Sequence, residues 1–273
     1  MRIKKMTILF YVLLAIGALT MILPFYWMIA TSLKTAGQAV AMPPVWFPVP
    51  PKIENYFEAL QAAPFGRYFL NSLIVTVFST TGETLTAILA AFAFARMNFY
   101  GRNILFTALL GTMMVPGELL LIPNFVTLSH LGWINTYLAL IVPWLASAFA
   151  VFQIQQRFQS ISDELYYAAK IDGSSDFKFL WQILVPMSRS SIVTMVILKV
   201  IGSWNAFLWP LLVTNDTSMR TLPVGLQAFT TEAGTRYELL MAASTIVIVP
   251  MIIFYLVFQN NIKKGIANTG TKG

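Results

Sequence analysis

The chain has 273 residues, of which 57% are hydrophobic and only 11% charged, with a mean hydropathy of +0.70. A soluble chain of this length could not hide so much apolar surface, so the bilayer is the solvent this composition requires. The net charge of +7 would suggest nucleic acid in a soluble protein, but here the basic residues flank apolar runs, as membrane insertion demands.

In chain order, residues 1–6 carry Arg2, Lys4 and Lys5 and lead into an apolar run from Met6 to Ala30. That run is long enough to cross about 30 Å of hydrocarbon as a helix, and it lacks the small-residue cleavage site of a secretory signal. It reads as a retained anchor. Six candidate spans result, at about 7–31, 69–95, 103–125, 136–157, 190–213 and 239–259, each near the roughly 20 residues a spanning helix needs. Backbone groups cannot stay unpaired in lipid, so these are helices, and the expected fold class is an all-α membrane protein with six transmembrane helices over residues 7–259. No stretch shows the alternation of a membrane barrel.

Between the first two spans, residues 34–68 include Pro43-Pro44-Val45-Trp46-Phe47-Pro48-Val49-Pro50-Pro51. Proline fixes φ and removes donors, which predicts an extended stretch along one surface with Trp46 and Phe47 at the headgroups. Pro116-Gly117 breaks the third span just before Glu118, and His130 lies in the short loop that follows. Residues 214–238 are polar and suited to a partner outside the membrane. Residues 260–273 form a small, basic tail.

Basic residues in the loops set the orientation. With the N-terminus inside, the inner side holds Arg2, Lys4, Lys5, Arg96, Arg102, Arg157, Lys170, Lys178, Arg189, Lys263, Lys264 and Lys272. The outer side holds Lys34, Lys52, Arg67, Arg220 and Arg236. This bias places both termini, and the loop 158–189, in the cytosol.

That loop is a polar insert between apolar runs. Ser160 and Asp163 have capping-box spacing, so a helix starts near there. Leu165, Ala168 and Ala169 follow at i, i+3, i+4 and share a face, and Asp172-Gly173 ends the helix with a left-handed turn. Ser175 caps a second helix, with Phe177, Leu180, Trp181 and Leu184 on one face and Pro186 as its stop. Two short helices at a sharp turn make a compact projection. Ala168, Ala169 and Gly173 would let another protein approach closely.

Chemistry within the chain is improbable on its residues. Cysteine is absent and His130 is the only histidine, which excludes disulfides, thiolate metal sites and His-rich zinc sites and leaves no nucleophile–base pair. No G-x-x-x-x-G-K-[ST] is present, so ATP is not bound here by a P-loop. No catalytic and no metal-ligating residue is expected.

The spacing within the insert carries a resemblance. Tyr167-Ala168-Ala169, three residues, Gly173, nine residues, then Ile183-x-Val185-Pro186 resembles the E-A-A-x3-G-x9-I-x-L-P loop of permease subunits of bacterial ATP-binding-cassette importers. Ala95-Arg96, Gly101-Arg102, Trp204-Asn205, Leu208-Trp209-Pro210 and Arg220-Thr221-Leu222-Pro223-Val224-Gly225-Leu226 resemble the carbohydrate-uptake class. So does the tail from Gln259 through Lys263-Lys264-Gly265-Ile266 to Lys272-Gly273. The likeness is closest to the second permease of maltose-type transporters and covers nearly the whole chain.

The resemblance implies a type I importer permease fold in the bacterial cytoplasmic (inner) membrane, with a cytosolic coupling-helix loop and no cofactor of its own. ATP and magnesium would be bound by two copies of a separate cytosolic ATPase. A second permease, membrane lipid and an extracytoplasmic sugar-binding protein complete the implied partners. Glu164, Tyr167, Ala168, Ala169, Asp172, Gly173, Ile183 and Pro186 would couple to the ATPase, and Gly265, Lys272 and Gly273 in the tail would touch it. Tyr167 departs from the family glutamate and Val185 from its leucine. Glu164 and Asp172 are the acidic residues left to make a charge-assisted bond to the ATPase.

Charges inside apolar spans are costly unless paired or facing water. Glu83, Glu118 and Lys199 are such charges. Two readings of Glu118 stand: it borders a translocation path, or it pairs with Lys199 to hold the bundle. Lys199, Trp204 and Asn205 are the further path candidates, offering ring faces, an amide and an ammonium. The rival to an ATP-driven importer is an ion- or proton-coupled carrier using Glu118 and Lys199 as a relay, which would need no such loop.

Overall fold

The computed structural model describes residues 2–231 and 234–270, with side chains described for residues 6–231 and 234–259. In chain order the helices are α1 (Arg2–Ser32), α2 (Ala36–Ala39), α3 (Glu54–Ala62), α4 (Phe65–Arg96), α5 (Arg102–Thr112), α6 (Leu121–His130), α7 (Tyr137–Ile141), α8 (Ala148–Gln159), α9 (Asp163–Ile171), α10 (Asp176–Phe179), α11 (Val185–Met187), α12 (Arg189–Trp204), α13 (Leu208–Val213), α14 (Leu222–Gly225) and α15 (Tyr237–Gly270). Two-residue strands β1 (Thr230–Thr231) and β2 (Gly234–Thr235) pair antiparallel, with Thr230 opposite Thr235.

Four stretches are long and apolar enough to cross a membrane: Met6–Ser32, Phe65–Arg96, Tyr137–Gln159 and Tyr237–Gln259. Two more are bent pairs, Arg102–Thr112 with Gly117–His130 at 93° and Asp176–Met187 with Arg189–Trp204 at 79°. The third stretch is therefore not one straight helix. Pro116 cannot donate to the preceding turn, and a 3₁₀ turn at Gly117–Leu120 redirects the chain into α6. The fifth stretch likewise stops at Trp204 and resumes only as the short α13.

The chain forms two compact units. The first is Met1–Phe65 with Gly225–Ile252. Here α1 leaves most of its apolar side chains uncovered by the chain, as a lipid-facing helix does. Its end is capped from afar: the Asn55 amide donates to Ser32 O, the last carbonyl of α1, at 2.8 Å and to Lys34 O just beyond it at 2.7 Å, satisfying groups that a helix end leaves open. Lys34 is fully buried, its ammonium 3.7 Å from the Trp27 ring centre and donating to Thr31 Oγ1. Burial pushes that ammonium below the ordinary lysine value. The proline-rich segment 43–51 holds no helix or strand. It folds back on the end of α1, where Trp46 meets Trp27 edge-on at 5.2 Å and Tyr26 donates to Trp46 O at 2.7 Å.

The second unit is Gly66–Val224 with Ile253–Gly273. Its main core joins Ala87, Ile88, Ala91 and Phe92 of α4 to Val151, Ile154 and Phe158 of α8 and to Ile192 and Met195 of α12. Ile161, Ala169, Phe179, Leu180 and Leu184 belong to the same core, so the polar insert is rooted in the helices rather than hung from them. A smaller core groups Val75, Leu128, Leu140, Trp209 and Val213.

Candidate functional site

The insert 158–189 is built by caps that the sequence places in order. Ser162 accepts from Glu164 N at 3.2 Å and opens α9, while Ser175 accepts from Lys178 N at 3.2 Å and opens α10. The cap is thus Ser162, not Ser160. Ser160 instead ends α8, its hydroxyl donating to Arg157 O at 2.8 Å. Between the two helices Gly173 takes φ +74°, a conformation that a side chain penalises by roughly 1–2 kcal/mol. Ser174 N then donates to Ala169 O at 2.8 Å, closing the turn. After α10 the backbone loosens into a π-helical turn, Leu180–Leu184, so the expected i, i+3, i+4, i+7 face does not persist. Leu180 and Leu184 are buried, Trp181 is half-buried and Phe177 points outward.

Two polar fastenings hold this projection. Arg96, the last residue of α4, is almost fully buried and donates to Phe158 O at 2.7 Å and Ile161 O at 2.6 Å while ion-pairing with Asp163. One planar guanidinium thereby fixes the exit of α8 and the start of α9, which a single-point ammonium could not do. The second fastening joins α9 to α10. Asp176 Oδ1 accepts from Tyr166 OH at 2.6 Å and pairs with Lys170 Nζ at 2.7 Å. The Lys170 bond, then that of Tyr166, holds the Asp176 carboxyl below the usual carboxylate range, and the same bond lifts Lys170 above the lysine range. Desolvation, then the Asp176 bond, lifts the Tyr166 phenol. Neither fastening is visible in the local pattern: each partner is supplied by the fold, up to 67 residues away.

Outward on α9 stands a stripe at i, i+3, i+4, i+7, Glu164, Tyr167, Ala168 and Ile171, with Leu165 and Lys170 exposed beside it. Tyr167 is 63% exposed and Ile171 87%. Ala169 does not share this face: it is 7% exposed and packs into the core, while Ala168 next to it stays exposed. Asp172 and Gly173 are exposed at the turn, Ile183 packs half-buried against the core, and Pro186 is exposed in α11. Beside the stripe runs a groove of about 410 Å³, walled by Arg96, Asn98, Arg102, Asp163, Tyr167 and Asp176.

Within the apolar helices the charges pair differently from expectation. Lys199 of α12 bonds Glu83 of α4, not Glu118. Glu118 sits exposed in the 3₁₀ turn after Pro116. The reason is register: Glu83 faces inward in line with Ala87 and Ala91, one and two turns on, in the face that α12 packs against. Lys199 Nζ also donates to Trp144 O at 3.3 Å. Trp204 is buried edge-on against Phe69 at 5.6 Å, and its indole N–H has no hydrogen-bond partner among the described residues. Asn205 is exposed just after it. Of the tail residues, Lys272 and Gly273 lie outside the described residues, and Gly265 lies in α15 beyond the described side chains. Among the described residues no cluster of metal-ligating side chains occurs.

Comparisons with known proteins agree with this architecture. Residues 83–268 match the family model described as binding-protein-dependent transport system inner membrane component. The chain is 31% identical over 268 residues to a sn-glycerol-3-phosphate transport system permease protein UgpE of Brucella suis, covering 95% of each. To a protein of the same description from Yersinia pestis it is 29% identical over 274 residues, covering 97% of this chain and 98% of that one. It shares a fold with a bacterial ABC transporter involved in the import of the acidic polysaccharide alginate, at TM-score 0.84 and 23% identity, covering 94% of this chain and 96% of that one. A structure of a bacterial alginate ABC transporter with its alginate pentasaccharide-bound periplasmic protein matches at TM-score 0.67 and 17% identity, covering 93% of each chain.

Proposed function

The chain belongs to the family of binding-protein-dependent transport system inner membrane components, and from that premise we propose how its parts divide the labour of an ATP-driven importer. It is a permease subunit and not an enzyme: a multi-pass protein of the inner membrane whose ATPase is a separate subunit. With a second, different permease it lines an alternating-access pathway for a sugar or oligosaccharide. Both termini and the loop 158–189 face the cytosol, where two ATPase subunits bind ATP and magnesium. An extracytoplasmic binding protein delivers the substrate from the other side. The relatives carry names of glycerol phosphate and alginate transport, and those substrates share hydroxyl groups and a negative charge.

The observation that carries this reading is the clamped loop. A helix held on its inner face by Ala169 and at its root by Arg96, with Glu164, Tyr167, Ala168 and Ile171 outward, is a rigid lever with an unpartnered contact surface. An apolar, aromatic stripe of this kind is what an interface core presents, and the groove beside it offers Arg102 and Asp163 for the rim. The ATPase would therefore meet Tyr167 with an apolar pocket rather than with a basic residue awaiting a glutamate. A self-contained ion-coupled carrier has no use for such a lever.

Reconstitution tests it. Liposomes holding both permeases and the ATPase, supplied with binding protein and labelled sugar, should take up sugar only with ATP inside the ATPase compartment. Uptake driven by a proton or sodium gradient without ATP would defeat the proposal.

A further inference from the structure

The apolar stretch Tyr137–Gln159 is interrupted beside α4 and α12. At Ile141 α7 gives way to a 3₁₀ turn, Val142–Trp144, and α8 restarts at Ala148 under a cap from Ser147. Pro143 has no N–H with which to continue the ladder. In lipid the carbonyls of such a break must find donors elsewhere, and the two neighbouring helices supply them. Thr86 of α4 donates its hydroxyl proton to Leu145 O, and Lys199 Nζ of α12 donates to Trp144 O at 3.3 Å. Gly82 lets α4 come close, since a Cβ there would overlap Leu145 Cδ2. Glu83, next along α4, closes the charge by pairing with Lys199.

A simple ion pair would need only Glu83. The second bond, to a backbone carbonyl of a broken span, makes α4, α12 and the break meet on one positive charge. A carboxylate together with unwound backbone carbonyls in a discontinuous span is the donor set with which membrane proteins hold a small monovalent cation. One carboxylate carries one charge, so the set balances a monovalent ion and not a divalent one.

We propose that Lys199 is a tethered counter-ion: its ammonium fills a cation site formed by the Glu83 carboxylate and Trp144 O, and a chain without that ammonium binds a free monovalent cation in its place. The place can be reached. Lys199 keeps 16% of its side chain accessible, and Lys199 and Trp144 both line a cavity of about 300 Å³. A counter-ion that is part of the chain cannot be carried across the membrane, which suits a protein driven by ATP rather than by an ion gradient. The identity of the transported molecule does not enter, because the site lies within the packing of this subunit.

The test is made on the complete complex of both permeases, ATPase and binding protein, in media whose salt is the chloride of potassium, sodium, methylammonium or N-methyl-D-glucamine. Removing one partner of a buried pair strands the other charge, whereas removing both is far milder. In N-methyl-D-glucamine, Lys199→Ala should therefore speed amide exchange in peptides covering 142–150 on the order of a hundredfold. At about ten times its Kd, at least one of the three small cations should slow that exchange again about tenfold. The wild type should exchange alike in all the media. Glu83→Gln combined with Lys199→Ala strands no charge, so it should assemble even where Lys199→Ala alone does not, and it should ignore the cation. Exchange in Lys199→Ala that is the same in every medium, a wild type that needs a small cation, or a double variant as impaired as the single one in N-methyl-D-glucamine would each overturn the tethered counter-ion. ATP-dependent uptake by the wild type is measured alongside: if it persists, the counter-ion alone falls and the importer reading stands.

Discussion

Arg96→Met removes the fastening at the root of the lever with little change in side-chain volume. Arg96 donates to Phe158 O and Ile161 O, both at the buried junction of α8 and α9, and the substitution removes that donor from both. Phe158 O keeps the Ile161 N–H at 3.3 Å, so Ile161 O is the acceptor that is orphaned, and one such buried acceptor costs about 2 kcal/mol. The Asp163 ion pair adds less than about 1 kcal/mol, because the Asp163 side chain is 72% exposed and exposed pairs are screened. The loss is local, since the apolar core of α4, α8 and α12 stays intact. The opened fraction of 158–172 should therefore rise roughly thirtyfold, read as faster amide exchange in peptides from that segment while peptides from α12 are unchanged. ATP hydrolysed per sugar imported should rise with it. Arg96→Lys keeps the charge but loses the fork, and should fall between wild type and Arg96→Met. Exchange at wild-type rates and an unchanged ATP-to-sugar ratio in Arg96→Met would refute the clamp.

Other outcomes follow from the same geometry. Gly173→Ala should loosen the turn by roughly 1–2 kcal/mol, whereas Gly173→Asn, which tolerates the left-handed region, should recover most of it; amide exchange at Ser174 reads both. Ile171→Asp lies on exposed surface, so thermal stability should stay within about 0.5 kcal/mol while sugar-stimulated ATP hydrolysis collapses; a stable, fully coupled variant would remove Ile171 from the docking stripe. Asp176 is held below the ordinary carboxylate range and Lys170 above the ordinary lysine range. The α9–α10 fastening should thus hold at neutral pH. It should fail on the acid side only as pH falls through the lowered Asp176 value, and on the alkaline side as pH rises through the raised Lys170 value. Asp176→Asn should remove the acid-side loss, with Tyr166 fluorescence or loop exchange as the readout.

The insert and its turn are legible in the sequence because polarity changes abruptly there and Gly173 declares its φ. The outward face of α9 is not. Ala168 and Ala169 are identical in chemistry, and only the core that receives Ala169 decides which one a partner can touch. Capping-box spacing points to Ser160, but Ser160 is taken by the end of α8, so Ser162 opens α9 instead. The Lys199 partner is similarly hidden: Glu83 and Glu118 are both acids in apolar stretches, but the bend after Pro116 carries Glu118 away from the helix pair where Glu83 and Lys199 meet. Arg96 is visible only as the basic residue closing a long apolar helix, and its role appears once Phe158 and Ile161 are brought to it.

The central claim is that the exposed stripe of α9 receives the force of ATP hydrolysis. The most direct measurement is a cross-link: Ile171→Cys in this cysteine-free chain, joined by a short bifunctional reagent in the reconstituted complex. The account predicts an adduct with the ATPase subunit and loss of sugar uptake on cross-linking, restored when a cleavable reagent is cut. No ATPase adduct, with ATP-dependent uptake continuing at full rate, would contradict it.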